Sequence, residues 1–308
     1  MARKSKDKKS AVNEFLDGEG DVAVSVPISE SMEDWRNWPI IRHILKSTGQ
    51  VAVVRMAGVI ADATLTSKPA VNYARFAKPL EKAFGARNVK AVAIIINSPG
   101  GAPAQCSLIG DHIRSLAVEK KIPVFAFVED VAASGGYWLA CAADEIYVQP
   151  SSIVGSIGVI YSGFGFTDLI KKYGIERRIH TAGENKSFLD PFKPEDKDDV
   201  ARLKAIQEDI HDAFKGWVAY RREGKLNGAE ADLFEAQIFS GEKAVKNGLV
   251  DEVGRLEPVM KARFGKHVSF TDYTPDKKWS PLSLLKSALP TDIAGVLYER
   301  SFWARFGF

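Results

Sequence analysis

The chain has 308 residues, 45% of them apolar, with 42 Lys and Arg against 39 Asp and Glu for a net charge of +3. That near-balance excludes the strongly basic footprint of a nucleic-acid binder. The length suits one large α/β domain with appendages. Two cysteines, Cys106 and Cys141, are too few for a disulfide framework and read as small core residues.

The basic N-terminus, MARKSKDKKS, resembles the start of a signal peptide, but Asn13, Glu14, Asp17, Glu19 and Asp21 interrupt any apolar run behind it. Residues 1–20 therefore read as a disordered basic tail and residues 21–49 as a helical lead-in broken at Pro39. No run of about 18 apolar residues occurs, so no spanning helix is expected. The predicted location is cytoplasmic, with peripheral contact at the inner membrane face as an alternative.

From residue 51 the pattern becomes regular. VAVVRMAGVIA (51–61) reads as a strand and VNYARFAKPLEKAFG (71–85) as a helix ending at Gly85. VKAVAIIIN (89–97) is apolar throughout, as a strand buried on both faces requires. A helix over CSLIGDHIRSLAVEK, a strand at PVFAFVE, a short helix from Tyr137 to Ala143 and a strand at DEIYVQP follow. The alternation predicts a parallel sheet with flanking helices. Beyond it, residues 151–166 are rich in Gly and Ser, TDLIKKYG reads as a helix, IERRIHTA as a strand and GENKSFLDPF as a loop. Residues 194–225 carry apolar residues at helical spacing and predict one long helix. AQIFSGEKAVKNGLVDEVG (236–254) reads as strand, turn and helix returning to the core. The catalytic domain is expected over 50–265. Residues 266–308 form a C-terminal extension whose end, 291–308, is an amphipathic helix with Phe302, Trp303, Phe306 and Arg305. That helix docks on protein or lies at an anionic lipid surface.

Two glycine turns stand at predicted strand ends. NSPGG (97–101) brings the backbone close to a ligand, but it lacks the longer glycine pattern or following lysine of a phosphate cradle. ASGG (133–136) places the Ser134 hydroxyl where a helix begins, which suits a nucleophile, although the same serine could simply cap the helix. Ligands of open α/β sheets bind outside the carboxyl ends of strands. Together the two turns can supply a nucleophile and two oxyanion donors. The base is less evident. His43, His112 and His211 sit on helices among charged neighbours and read as surface residues. His180, at a strand end, and Lys186, in a loop of small and apolar residues, are the two candidates.

NSPGG, ASGGYWLACAADEIYVQPSSIVGSIGV, TAGENKSFLDPF and FSGEKAVKNGLVDEVG, in that order, resemble the signal peptide peptidase A family of protease IV type, in its half-length form. The resemblance implies a caseinolytic-protease/crotonase-like fold and a serine–lysine peptidase without cofactor or metal. It assigns Ser134 as nucleophile, Lys186 as general base, Gly100 and Gly135 as oxyanion-hole positions, and Ser156 as the hydroxyl that orients the lysine. It also implies a homo-oligomeric ring whose dyad is shared between adjacent subunits, acting on apolar peptides such as signal-peptide remnants or unfolded protein. The residue before the family lysine is commonly aromatic; here it is Asn185. The alternatives are a crotonase-type enzyme for acyl thioesters and a non-catalytic ring that scaffolds membrane proteins.

Overall fold

A computed structural model describes residues 49–62, 70–275 and 300–307. The N-terminal tail, residues 21–48 of the lead-in, and residues 291–299 and 308 of the expected C-terminal helix lie outside them. The described residues all fall in one compact unit, 47–308.

The first half follows the predicted alternation. Strand β1 (Gln50–Ala57) leads to helix α1 (Tyr73–Phe84), then β2 (Val89–Ser98), α2 (Pro103–Lys120), β3 (Val124–Ala133), α3 (Gly135–Ala140) and β4 (Glu145–Val148). Strands β1 to β4 pair in parallel. Helix α1 begins where Asn72 Oδ1 accepts the Arg75 N–H at 3.0 Å and ends at Gly85. The strands are apolar because both faces are covered. Val54, Met56, Ile94 and Ile96 of the sheet, Phe76 and Leu80 of α1, and Ile109 and Ile113 of α2 all belong to one buried core.

The second half adds β5 (Ile153–Gly155), α4 (Thr167–Lys172), α5 (Lys197–Arg221), α6 (Glu230–Leu233), β6 (Ile238–Ser240), α7 (Gly241–Lys246), β7 (Glu252–Val253), α8 (Leu256–Phe264) and β8 (Ser269–Asp272). The sheet runs β6-β5-β3-β2-β1-β8, with β4 and β7 branching from β3. The β5–β6 pair is antiparallel. Two expectations are corrected. IERRIHTA is not a strand: residues 175–181 have no regular structure, because among the described residues no neighbouring strand completes their hydrogen bonds. The helix after Ser134 starts at Gly135 rather than Tyr137.

One irregularity sets up the site. Ile96 pairs with Val128 and Ser98 with Ala132, so β2 advances two residues while β3 advances four. The resulting bulge bends β3. Below it, Phe125–Phe127 pair with β4; above it, Val131–Ala133 pair with β5. The ends of β2, β3 and β5 are thereby brought side by side.

Residues 158–196 form an arm. It carries exposed Ile160, Tyr161, Phe164, Leu169, Tyr173 and Ile175. The arm folds on itself: the Phe166 N–H donates to the Pro191 carbonyl at 2.6 Å, and Arg177 lies over the Phe192 ring and 3.2 Å from Asp190. The long helix α5 roots it. Phe214 and Val218 are buried, and Trp217 Nε1 donates to the Trp138 carbonyl at 3.0 Å. At the far end of the chain a short helix over 300–304 turns Phe302 onto Val59, Ala61 and Ala70.

Candidate active site

The opening at the strand ends is built around Ser134. Among residues 131–143 it alone is not buried. Its backbone sits at φ 50°, ψ −122°, a conformation unfavourable for a residue with a Cβ. Three hydrogen bonds hold it there. Its N–H donates to the Gly155 carbonyl at 2.8 Å, and its own carbonyl accepts the N–H groups of Tyr137 and Trp138 at 2.9 and 3.0 Å. The chain thus turns out of β3 directly into α3, and the turn leaves the hydroxyl as the outermost group.

The glycines fit the crowding. A Cβ on Gly100 would lie 2.8 Å from the Ser134 Cβ and 2.8 Å from the Gly135 nitrogen, so the NSPGG turn touches the nucleophile turn. Gly101, at φ 148°, packs so tightly on Ile60 that any side chain would strike the Ile60 carbonyl. Behind Gly135 stands the Sγ of Cys106. The Gly100 N–H donates to Ser98 Oγ at 3.2 Å. Among the described residues, no hydrogen bond uses the N–H of Gly101 or of Gly135.

Asn97 gives the arrangement its rigidity. Its Oδ1 accepts the Val131 N–H inside the β3 bulge, and its Nδ2 donates to Asp130 Oδ2 at 2.7 Å. Tyr137, fully buried in α3, donates its hydroxyl to the Leu249 carbonyl at 2.6 Å. The sequence named NSPGG for its glycines; the part played by Asn97 depends on strand register and had no separate signal.

Ser156 lies next to this group. In the β3–β5 register Ala133 faces Gly155, so Ser134 and Ser156 follow on adjacent strands. Ser156 has φ 52°, and its N–H donates to the Gln237 carbonyl at 2.6 Å. The single chain therefore gathers Ser134, Gly100, Gly135 and Ser156 at one place. It does not bring Lys186 there. That lysine lies on a 3-10 turn, Glu184–Ser187, on the exposed arm, where its N–H donates to the Gly183 carbonyl at 3.3 Å. Among the described residues no hydrogen bond links it to Ser134 or Ser156. His180 is also exposed on the arm and ends no strand. His112 and His211, expected at the surface, are half-buried. His112 meets Tyr73 edge-on, and His211 reaches two backbone carbonyls.

Both thiols are inert by position. Burial pushes Cys106 up to about 12, and Cys141 up to about 11 against the opposing pull of Arg222. Among the described residues no group of His, Cys, Asp or Glu is arranged to hold a metal ion, and no helix is long and apolar enough to cross a membrane.

Comparison with known proteins gives this geometry a family. Residues 117–267 match the family model of peptidase family S49. A candidate signal peptide peptidase SppA of Enterococcus faecium is 30% identical over 234 residues, 74% of this chain and 66% of that protein. A Brucella abortus protein named as the Na(+)/H(+) antiporter NhaA is 44% identical over 272 residues, 84% of this chain but 37% of that protein. The chain thus spans little more than a third of this relative. Among solved structures, the 1510-N membrane-bound stomatin-specific protease superposes with a TM-score of 0.50 at 19% identity, covering 75% of this chain and all of that one. The likeness shows the caseinolytic-protease/crotonase-like α/β fold. The chain belongs to peptidase family S49, the signal peptide peptidase A family.

Proposed function

We propose that this chain is a serine peptidase that uses Ser134 as nucleophile and takes its general base, Lys186, from the arm of a neighbouring copy. The observation that carries the reading is the state of Ser134. It is a strained, solvent-accessible hydroxyl in a buried segment, beside two backbone N–H groups with no acceptor. Such donors suit the oxyanion of a tetrahedral intermediate.

In this mechanism Ser134 Oγ attacks the peptide carbonyl carbon and its proton passes to the neutral Lys186 amine. The negative oxygen is held by the Gly135 N–H and by the Gly100–Gly101 turn, whose Gly101 N–H is free. The lysine returns the proton to the departing amine as the carbon–nitrogen bond breaks. Water then hydrolyses the acyl-enzyme by the same route. Ser156 would orient the amine. Only a neutral amine can accept the proton.

Sharing the dyad between copies is supported by the arm. It carries Lys186 outward with a set of exposed apolar side chains that suit burial against another subunit. Apolar peptides, as in signal-peptide remnants or unfolded protein, are the proposed substrates. The buried free thiols Cys106 and Cys141 fit a reducing compartment, and we propose a cytoplasmic site of action.

Hydrolysis of short apolar peptides tests the reading. Ser134→Ala and Lys186→Ala should each lose activity by several orders of magnitude, while His180→Ala stays near normal. Mixing the two inactive proteins under subunit exchange should restore part of the activity. A Ser134→Ala protein that still cleaves peptide ends the serine-peptidase reading. Absence of rescue returns the dyad to one chain.

A further inference from the structure

We propose that His211 is a positioning residue for this reaction, acting through the turn that carries Ser156. The inference rests on the Ser134–Lys186 reading and deepens it.

The turn Gly155–Ser156–Ile157 is held residue by residue. The Gly155 carbonyl accepts the Ser134 N–H at 2.8 Å, the Ser156 N–H donates to Gln237, and the Ile157 carbonyl accepts the Ala236 N–H at 3.1 Å. His211 adds a side-chain bond to the same turn. Its Nε2 lies 3.1 Å from the Ile157 carbonyl and 2.8 Å from that of Phe234. Both partners are acceptors, so Nε2 must carry the hydrogen, which it shares between them. Among the described residues no other side chain bonds this turn.

The location makes the bond consequential. His211 projects from α5, the helix that roots the arm. It therefore fastens three things at one point: the helix behind the arm, the 234–238 segment that borders β5, and the residue next to Ser156. Ser156 is a non-glycine residue at φ 52°, a conformation that persists only where the surroundings over-determine it. Removing the imidazole lets the turn relax toward an ordinary backbone and swings the Ser156 hydroxyl away from the amine it orients. Substrate binding along the glycine turns is left alone. The signature is a loss in kcat without a matching change in KM.

The test is peptide hydrolysis by the full, assembled chain. His211→Ala should lower kcat about tenfold or more, a scale that small misplacements of reacting groups reach readily, and leave KM within about twofold. His211→Gln, which retains an N–H donor at similar reach, should recover most of the loss. In a cycle with Ser156→Ala, the double variant should be no more than about threefold worse than Ser156→Ala alone, because both act through one hydroxyl. Multiplying losses, or a folded His211→Ala with full kcat, overturns the positioning role. Should His211→Ala fail to fold, the Gln variant decides: folded and near wild type it supports the role, folded and as impaired as Ser156→Ala it overturns it. A wild-type chain that cleaves no peptide sinks the underlying reading and takes this inference with it. An active wild type beside an equally active His211→Ala removes only the positioning role.

Discussion

Asn97 and Val131 are joined across the β3 bulge, the Val131 N–H donating to Asn97 Oδ1 at 3.3 Å while Asn97 Nδ2 holds Asp130 at 2.7 Å. This side chain occupies the place where a ladder bond would run in a regular strand, and it fixes the bend that delivers Ser134. Asn97→Ala should cost about 1–3 kcal/mol, the scale of a buried donor left without an acceptor. Peptidase activity should fall about 10- to 100-fold through misplacement of the hydroxyl. Asn97→Asp keeps the acceptor but sets a second carboxylate against Asp130. It should be weakest at high pH and regain stability as the pH falls and one carboxyl takes a proton. Urea midpoints across pH for the three proteins check this; equal midpoints would show that the bulge stands without Asn97.

The strain at Ser134 has a measurable counterpart. At φ 50°, ψ −122° a Cβ is unfavourable, and glycine is not. Ser134→Ala and Ser134→Gly both lose the hydroxyl and should be equally inactive. The glycine variant should nevertheless be the more stable by about 0.5–1 kcal/mol, since strain relief outweighs the added freedom of its unfolded chain. Calorimetry on the pair checks it, and a less stable glycine variant would mean that the turn carries no strain.

Gly135 and Cys106 form a size-complementary pair. An added Cβ at Gly135 would lie 2.4 Å from the Cys106 Sγ. Gly135→Ala alone should cost about 1–3 kcal/mol by overpacking. In a Cys106→Ala background the same change should cost at least about 1 kcal/mol less, because the sulfur that it strikes is gone. Additive costs would show that the obstruction lies elsewhere.

Alkaline stability follows from the buried acids. Burial pushes Cys106 up to about 12 and Cys141 up to about 11, and lifts Tyr137 well above its usual range. In the unfolded chain the thiols deprotonate near 9 and the phenol near 10. Above pH 9 the unfolded state therefore holds fewer protons than the folded state. Stability should be steady below that point and fall above it, each group adding a slope of up to about 1.4 kcal/mol per pH unit. Denaturant midpoints from pH 7 to 10.5 measure the fall, and Cys106→Ala should make it shallower. At pH 8 neither thiol of the native chain should react with iodoacetamide.

What the sequence disclosed depended on whether a feature is local. Runs such as VKAVAIIIN identify buried parallel strands because both faces must be apolar. Strand-end glycines next to Ser134 point to a site because nothing larger fits there. IERRIHTA misled because an extended segment becomes a strand only with a partner, and its Ile175 faces outward. Asn97 and His211 were illegible as functional residues. The first depends on the offset between β2 and β3, the second on where α5 meets residues 157 and 234. The residues alone left Lys186 and His180 as rival bases; the resemblance favoured Lys186, which its own chain leaves in the open.

The sheet closes late. Strand β8 pairs with β1, and the Ser269 hydroxyl bonds the Gly49 carbonyl across 220 positions of sequence. At translation rates of about 5–20 residues per second, β1 waits roughly 10–45 s for that partner. Strands β2 and β3 emerge well before it, so the nucleophile turn can form while one flank of the sheet is still an open ladder of N–H and carbonyl groups. Within QVAVVRMA the one charged side chain is Arg55, bound bidentate to Glu129 of β3. A charge in an otherwise apolar edge discourages pairing with another chain. Arg55 places such a charge on β1, the strand that stays unpaired on one side until β8 is made.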